Sequence, residues 1–318
     1  MTESPSTAHN RALCANFLAK AKVYSRYPRV SERAECTLLD KAGLPPFAYN
    51  PSVFQSARGM WMAYRYHFSG DFRTRLGIIT IGQEPKAQDL PLSGHSQEDA
   101  RLFSFHGETW MSWVESTFNG QSNPTSVVRY AQLEDGWKIS RIYEPAKHVN
   151  DGKGMQKNWC FFESDENLFC IYDSWPQQIV FQIQGDTVVN EYKTDGVRWP
   201  YGLIRGGNIV PHDGKLLRFF HSKTLQGISG REERYFVGCC LLEPKPPFAM
   251  LAVSGKPIVY GSEIDDLKPS ERKACHHWKR NVVFPCGAIA DGENFILSVG
   301  VNDSAGLLVK IKPEQLNL

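Results

Sequence analysis

The stretch from Glu98 to Ser116, EDARLFSFHGETWMSWVES, decides the fold: an entry strand, a polar turn centred on Gly107, then a second strand crowded with aromatic residues. The two runs flanking the turn are rich in Phe, Trp, Met and Val, which suit a pleated, packed surface. The same unit recurs along the chain. It reads NPSVFQSARGMWMAYRYHF over 50–68, KNWCFFESDENLFCIYDS over 157–174, RGGNIVPHDGKLLRFFHS over 205–222 and NVVFPCGAIADGENFILSVGVND over 281–303. Further apolar runs follow each unit, among them RLGIITI (75–81), TSVVRYAQ (125–132), QQIVFQIQ (177–184), RYFVGCCLLE (234–243) and GLLVKIKP (306–313).

The second strand of the unit falls near Trp61, Trp110, Leu168, Leu216 and Phe295. The spacing is roughly 50–60 residues, with one longer gap, and about four short strands per unit is what a propeller blade needs. A blade is covered on both faces by its neighbours, so runs such as WMAYRYHF and LLRFFHS can be apolar on both sides. A β-sandwich is the competing architecture, but it would not naturally repeat this unit five times. The expectation is all-β: one five-bladed β-propeller over 21–318, preceded by a frayed or weakly helical extension over 1–20. The longer gap holds a polar insertion, SEIDDLKPSERKACHHWKR (262–280), expected to line the channel mouth as a loop. Its adjacent His276 and His277 would point opposite ways on a strand, with no third ligand close in sequence, so no metal site is expected.

Charge excludes other classes. The 318 residues carry 36 Lys and Arg against 34 Asp and Glu, a formal +2, which gives no broad field for nucleic acid. No run approaches a membrane span. The start, MTESPSTAHNRALCANF, places an acid where a secretory signal carries positive charge, so a cytoplasmic location with reduced thiols is expected. None of the eight cysteines forms a CxxC pair, and Cys239-Cys240 within YFVGCCLL reads as buried small hydrophobes. Gly206-Gly207 belongs to no dinucleotide or P-loop pattern, and no serine sits in a GxSxG elbow.

Four segments carry a resemblance: Asn50-Pro51 with Arg65, Glu98-Asp99-Ala100-Arg101, the run Gly207–His221 ending in histidine, and the final unit ending in Asp303. Together they resemble the mannoside phosphorylases of glycoside hydrolase family 130. Those enzymes belong to a wider group of five-bladed propellers that also holds furanosidases, arabinanases and xylosidases. The resemblance implies a carbohydrate-active enzyme, with inverting phosphorolysis of a β-mannoside or related oligosaccharide as its reaction. It implies no cofactor, only inorganic phosphate as co-substrate, and a glycoside as the partner. Asp99 would be the proton donor; Asn50, Arg65, Arg101, Lys157 and Asp303 would bind the sugar. Arg101, two residues after Asp99, would share its side of the strand and orient the carboxylate. His221, Arg205 and Arg141 would meet phosphate or an activated donor, with Arg129 a further candidate. Trp110, Trp113, Trp159 and Trp175 are available to stack on sugar faces.

The third unit departs from the family pattern. Asn158 replaces an acid, and Asp173-Ser174-Trp175 stands where an arginine is usual. A carboxylate there repels phosphate unless a cation offsets it. Two further reactions therefore stay open: glycosyl transfer from an activated donor, and hydrolysis with Glu243 or Asp173 activating water. A propeller that only binds glycans or proteins is the non-enzymatic alternative.

Overall fold

A computed structural model describes residues 35–38, 48–57, 59–67, 73–81, 87–92, 96–117, 125–145, 149, 154–226, 232–260, 281–303 and 305–318. Within them the chain begins with β1 (Glu35–Leu38) and then builds successive antiparallel sheets. Blade one is β2 (Ala48–Ser56), β3 (Gly59–His67), β4 (Thr74–Ile81) and β5 (Ala87–Asp89). Blade two is β6 (Ser96–Phe105), β7 (Glu108–Thr117) and β8 (Thr125–Gln132). Blade three is β9 (Cys160–Ser164), β10 (Asn167–Asp173), β11 (Gln177–Gln184) and β12 (Thr187–Asp195). In blade four, β13 (Arg205–His212), β14 (Lys215–Gln226) and β15 (Glu232–Leu242) are followed by β16 (Met250–Val253) and β17 (Val259–Tyr260), both paired with β15. Blade five is β18 (Val283–Asp291), β19 (Asn294–Val301) and β20 (Ala305–Ile311).

The protein is a five-bladed β-propeller, as the repeat implies. Its ring is closed by β1, which pairs with β20 from Glu35↔Lys310 to Leu38↔Leu307. That strand completes the last blade with residues from the start of the chain, joining the two ends by backbone hydrogen bonds. The four-residue run Glu-Cys-Thr-Leu carries too little pattern to announce it. The expected extension over 1–20 and the insertion over 262–280 lie outside the described residues.

Period-two alternation explains why both faces of each blade are apolar. On β10, Leu168 and Cys170 pack with Phe103, Val114 and Phe161 toward blade two, while Phe169 and Ile171 pack with Phe220 and Phe236 toward blade four. Ala63 of β3 meets Leu102 and Trp113, and its neighbours Met62 and Tyr64 meet Ile289 and Ile296. Val283, Phe295 and Leu297 complete the ring against Leu217, Phe219 and Val237. Five apolar clusters thus fill five blade interfaces, with each large buried side chain contributing roughly 1.5–3 kcal/mol. Cys239 and Cys240 are fully buried in two of these clusters. Trp113 and Trp159 are buried in the same seams, and Trp110 packs on Tyr130, so these three hold blades together.

Candidate active site

Every innermost strand starts at the same mouth of the channel, and there the backbone is irregular. The β2–β3 register skips between Tyr49 and Ser52, and the β6–β7 register skips between Glu98 and Arg101. Asn50 (φ 49°) and Asp99 (φ 55°) occupy these bulges in the left-handed region, and Asn158 (φ 65°) and Asp303 (φ 52°) share that conformation at the same mouth. Asn and Asp tolerate this region better than other residues with a Cβ, and a bulge re-aims the side chain it carries. Gly300 leaves room for Asn50, because a Cβ there would overlap the Asn50 carboxamide oxygen.

The re-aimed side chains enclose a cavity of about 170 Å³ to which all five blades contribute. Blade one supplies Asn50 and Arg65, blade two Glu98 and Asp99, and Lys157 and Asn158 come from the entry to blade three. His221 and Tyr235 line it from blade four, and Val282, Phe284 and Asp303 from blade five. Of the residues expected from the sequence, the fold therefore gathers Asn50, Arg65, Asp99, Lys157, His221 and Asp303.

Their charges interlock. Arg65 bridges both carboxylates, with its Nη2 3.4 Å from Glu98 Oε1 and its Nη1 3.6 Å from Asp99 Oδ1. Asn50 Nδ2 donates to Asp99 Oδ1 at 3.3 Å, Lys157 Nζ donates to Glu98 Oε2 at 3.2 Å, and Ser116 donates to Glu98 Oε1 at 3.4 Å. The outcome differs for the two acids. Burial pushes Asp99 above the usual carboxylate range; Arg65 opposes the rise and the neighbouring Glu98 charge adds to it. Burial also acts on Glu98, but the charges of Arg65 and Lys157 and the hydrogen bonds from Lys157 and Ser116 outweigh it and hold that carboxyl below its ordinary value. The two adjacent carboxyls are thus shifted in opposite directions, Asp99 up and Glu98 down, the division expected of an acid and its electrostatic partner.

The opposite wall is neutral to basic. Burial, then Arg101 and Arg205, hold His221 well below the ordinary histidine value, so its imidazole is neutral near pH 7. Its ring stacks near Tyr235 at 6.0 Å and rests 4.6 Å from Phe284. Burial and Glu233 raise the Tyr235 hydroxyl, which keeps its proton.

Other expected residues lie elsewhere. Arg101 does not line the cavity: its Nη1 donates to Gly207 O, Asn208 Oδ1 and Pro285 O at 3.1, 2.9 and 2.8 Å, bracing blades two, four and five. The bulge at Asp99 breaks the alternation that would have put the two side chains together. Arg141 sits on the outside, 66% exposed, 3.8 Å from Asp186 and over the Tyr143 ring. It is not at the cavity. Arg129 is held by Glu115 and Glu144, and Glu243 Oε2 accepts from Ala249 N, so neither reaches the cavity. Arg205 and Asp173 line a neighbouring groove of about 210 Å³ that shares Lys157 and Asn158 with the cavity. The sequence reading missed Glu98 as a partner of Arg65, Asn158 as a lining residue and Tyr235. Glu98 had a signal in its place beside Asp99, and Asn158 in its place after Lys157.

No protein-family model matches the chain. No curated protein matches it in sequence. Solved structures do match it in shape. One comes from the GH130 family of mannoside phosphorylases, which contains glycoside hydrolases that target β-1,2 mannosidic linkages in Candida mannan; it is 14% identical, with TM-score 0.59, covering 92% of this chain and 91% of that one. A mannose phosphorylase from Leishmania mexicana in complex with phosphate ion is 14% identical, with TM-score 0.58 and coverages of 98% and 95%. A glycosyl hydrolase from Bacteroides ovatus is 13% identical, with TM-score 0.56 and coverages of 92% and 90%. The chain shares the fold of these propellers. At such identities the likeness speaks for architecture, and the chemistry must come from the cavity.

Proposed function

We propose that the protein is a carbohydrate-active enzyme that breaks a glycosidic bond with inversion, by phosphorolysis of a β-mannoside or a related oligosaccharide. The observation that carries this reading is the pair Glu98–Asp99, adjacent in sequence, bridged by Arg65 and shifted in opposite directions, in one cavity at the mouth of a propeller channel. A glycosidic oxygen leaves only if it is protonated, and Asp99 keeps a proton above the usual carboxylate range. Once that proton is given up, Arg65 and Asn50 are in place to stabilise the new carboxylate. Glu98, held below its ordinary value, anchors Arg65 and Lys157. Asn50, Arg65 and Asp303 offer donors and acceptors for the hydroxyls of the sugar being transferred.

The nucleophile requires a different wall. Lys157, His221 and Tyr235 line the cavity with a cation, a neutral imidazole and a protonated phenol, groups suited to holding phosphate opposite a leaving group. The test is incubation with a panel of β-mannosides and other β-glycosides, with and without phosphate, and with sugar-1-phosphates in reverse. Sugar-1-phosphate formed only when phosphate is present is the expected result. Equal release of free sugar without phosphate would make water the nucleophile. Turnover of none of these substrates would overturn the reading.

A further inference from the structure

The far end of the channel, away from the cavity around Asp99, opens into a second cavity of about 610 Å³. That volume lies within the ~300–1,000 Å³ of small-molecule pockets. All five blades wall it, near the ends of their innermost strands. Phe54 comes from blade one, Phe103 from blade two, Phe161 from blade three, Val210 from blade four and Ile289 from blade five. The aromatic walls are fixed by packing. Phe103 stacks on Phe161 with 5.4 Å between ring centroids, and Phe162 stands edge-on to Phe248 at 5.0 Å.

Charge enters this cavity from one side. Blade three brings Glu163, Asp165 and Glu166, and among the described residues no lysine or arginine joins the lining. Lys245 Nζ lies 3.4 Å from Asp165 Oδ2, and no lysine or arginine among the described residues pairs with Glu163 or Glu166. The hairpin that carries these acids is pinned by both neighbouring blades. His106 of blade two donates its backbone N–H to Glu163 Oε2 at 3.0 Å, and its Nε2 lies 2.8 Å from Glu166 O. On the other side Ser164 Oγ donates to Pro244 O at 2.9 Å. A receptor wall fixed in advance loses little freedom when a ligand arrives.

We propose that the far mouth is a binding site for an organic cation, a protonated amine that carries an aliphatic or aromatic body. The site is separate from the cavity around Asp99 and stands independently of the glycoside-processing reading. The ammonium head meets Glu163 and Glu166 through charge-assisted hydrogen bonds, and the body lies between Phe54, Phe103, Leu216 and Ile289. Arg101 sets the orientation. Its guanidinium donates to Asn208 Oδ1 at 2.9 Å, and Asn208 lines the cavity, so the inner end faces a buried cation that repels a charged head. The head therefore stays with the acids while the body points inward. Other ligand classes fit less well. An anion meets three carboxylates, a bare metal ion finds no cluster of ligands among the described residues, and a sugar finds mostly apolar walls.

The probe is 4-phenylbutylamine, cationic near pH 7, compared with 4-phenylbutanol and 4-phenylbutyrate by calorimetric titration of the full chain. The amine should bind about tenfold more tightly than the alcohol, and the carboxylate should not bind. Glu163→Gln combined with Glu166→Gln keeps the shape of the rim. It should bring the amine down to the affinity of the alcohol and leave the alcohol unchanged. Ala290→Lys, which adds a cation to the lining, should weaken the amine by about tenfold and allow the carboxylate to bind. Asp99→Asn, at the other mouth, should bind the amine as the wild type does. No amine binding, equal affinity for amine and alcohol, no response to the paired glutamate change, or loss of binding in Asp99→Asn would each overturn the site. Displacement of the amine by a peptide of residues 11–30, which carries Arg11, Lys20, Lys22, Arg26 and Arg29, would overturn a small-molecule occupant in favour of the chain's own basic segment.

Discussion

The two mouths of the channel are built from the same five strands and are chemically unlike. At the mouth where the strands begin, bulges and left-handed residues turn Asn50 and Asp99 inward, around a polar cavity of about 170 Å³. At the far mouth the strands run regularly into their turns, and the cavity is larger, about 610 Å³, walled by Phe54, Phe103, Phe161 and Phe162 with Glu163, Asp165 and Glu166 but, among the described residues, no lysine or arginine. Arg101 lies between them as a brace. Volume therefore does not mark the site. The irregular backbone does, because a regular strand cannot place a carboxylate, an amide and a cation on one small target.

The comparison breaks most visibly at Asp99. Asp99→Asn keeps the shape and removes the proton, so turnover should fall by about 10²–10⁴-fold, the usual worth of general acid catalysis. Steady-state rates on any active mannoside would check this, and near-normal activity would move the acid elsewhere. Next comes Arg65→Ala, which leaves two neighbouring carboxylates without their shared cation. It should cost roughly 2–3 kcal/mol of stability, since breaking a largely buried pair exceeds the worth of a surface bridge, measurable by urea unfolding.

Linkage to pH separates the two acids in a smaller effect. Asp99 has a raised folded value, so its stabilising contribution is complete below its unfolded value near 3.8 and is lost as pH rises through the raised one. Glu98 has a lowered value, so its contribution is present above its unfolded value near 4.5 and is lost as pH falls through the depressed one. Lys157→Met should shrink the Glu98 contribution, seen as a flatter acid limb of Tm against pH. At the far mouth the expectation is near zero. Ala290→Lys, on the rim of the larger cavity, should change stability by less than about 0.5 kcal/mol and leave turnover intact. A large loss of activity there would mean that the two mouths are coupled.

Much of this was legible in the sequence, for identifiable reasons. A repeated strand–turn–aromatic strand unit is a local pattern, and its double-sided hydrophobicity directly reflects blade stacking. The charged residues Arg65 and Asp303 were legible because they end apolar strands, and Asp99 because it starts one. Arg101 was misplaced because strand alternation fails across a bulge that no composition reveals. Arg141 was misplaced because it lies in the stretch after the turn at Asp135–Trp137, past β8, and sequence order does not show which side of a blade such a residue reaches. Tyr235 was overlooked because it reaches the cavity from the third strand of blade four, where nothing in RYFVGCCLL separates an inward tyrosine from a packed one. The β1–β20 closure joins residues some 270 positions apart in the chain, beyond any local signal.

The most direct test of the account is the order in which Glu98 and Asp99 titrate. Carboxyl-¹³C spectra of the wild type, differenced against Asp99→Asn and Glu98→Gln, would assign the two resonances across pH. The account predicts that Asp99 holds its proton at pH values where Glu98 is already ionised. The reverse order, or two carboxyls losing their protons together at ordinary values, would contradict it.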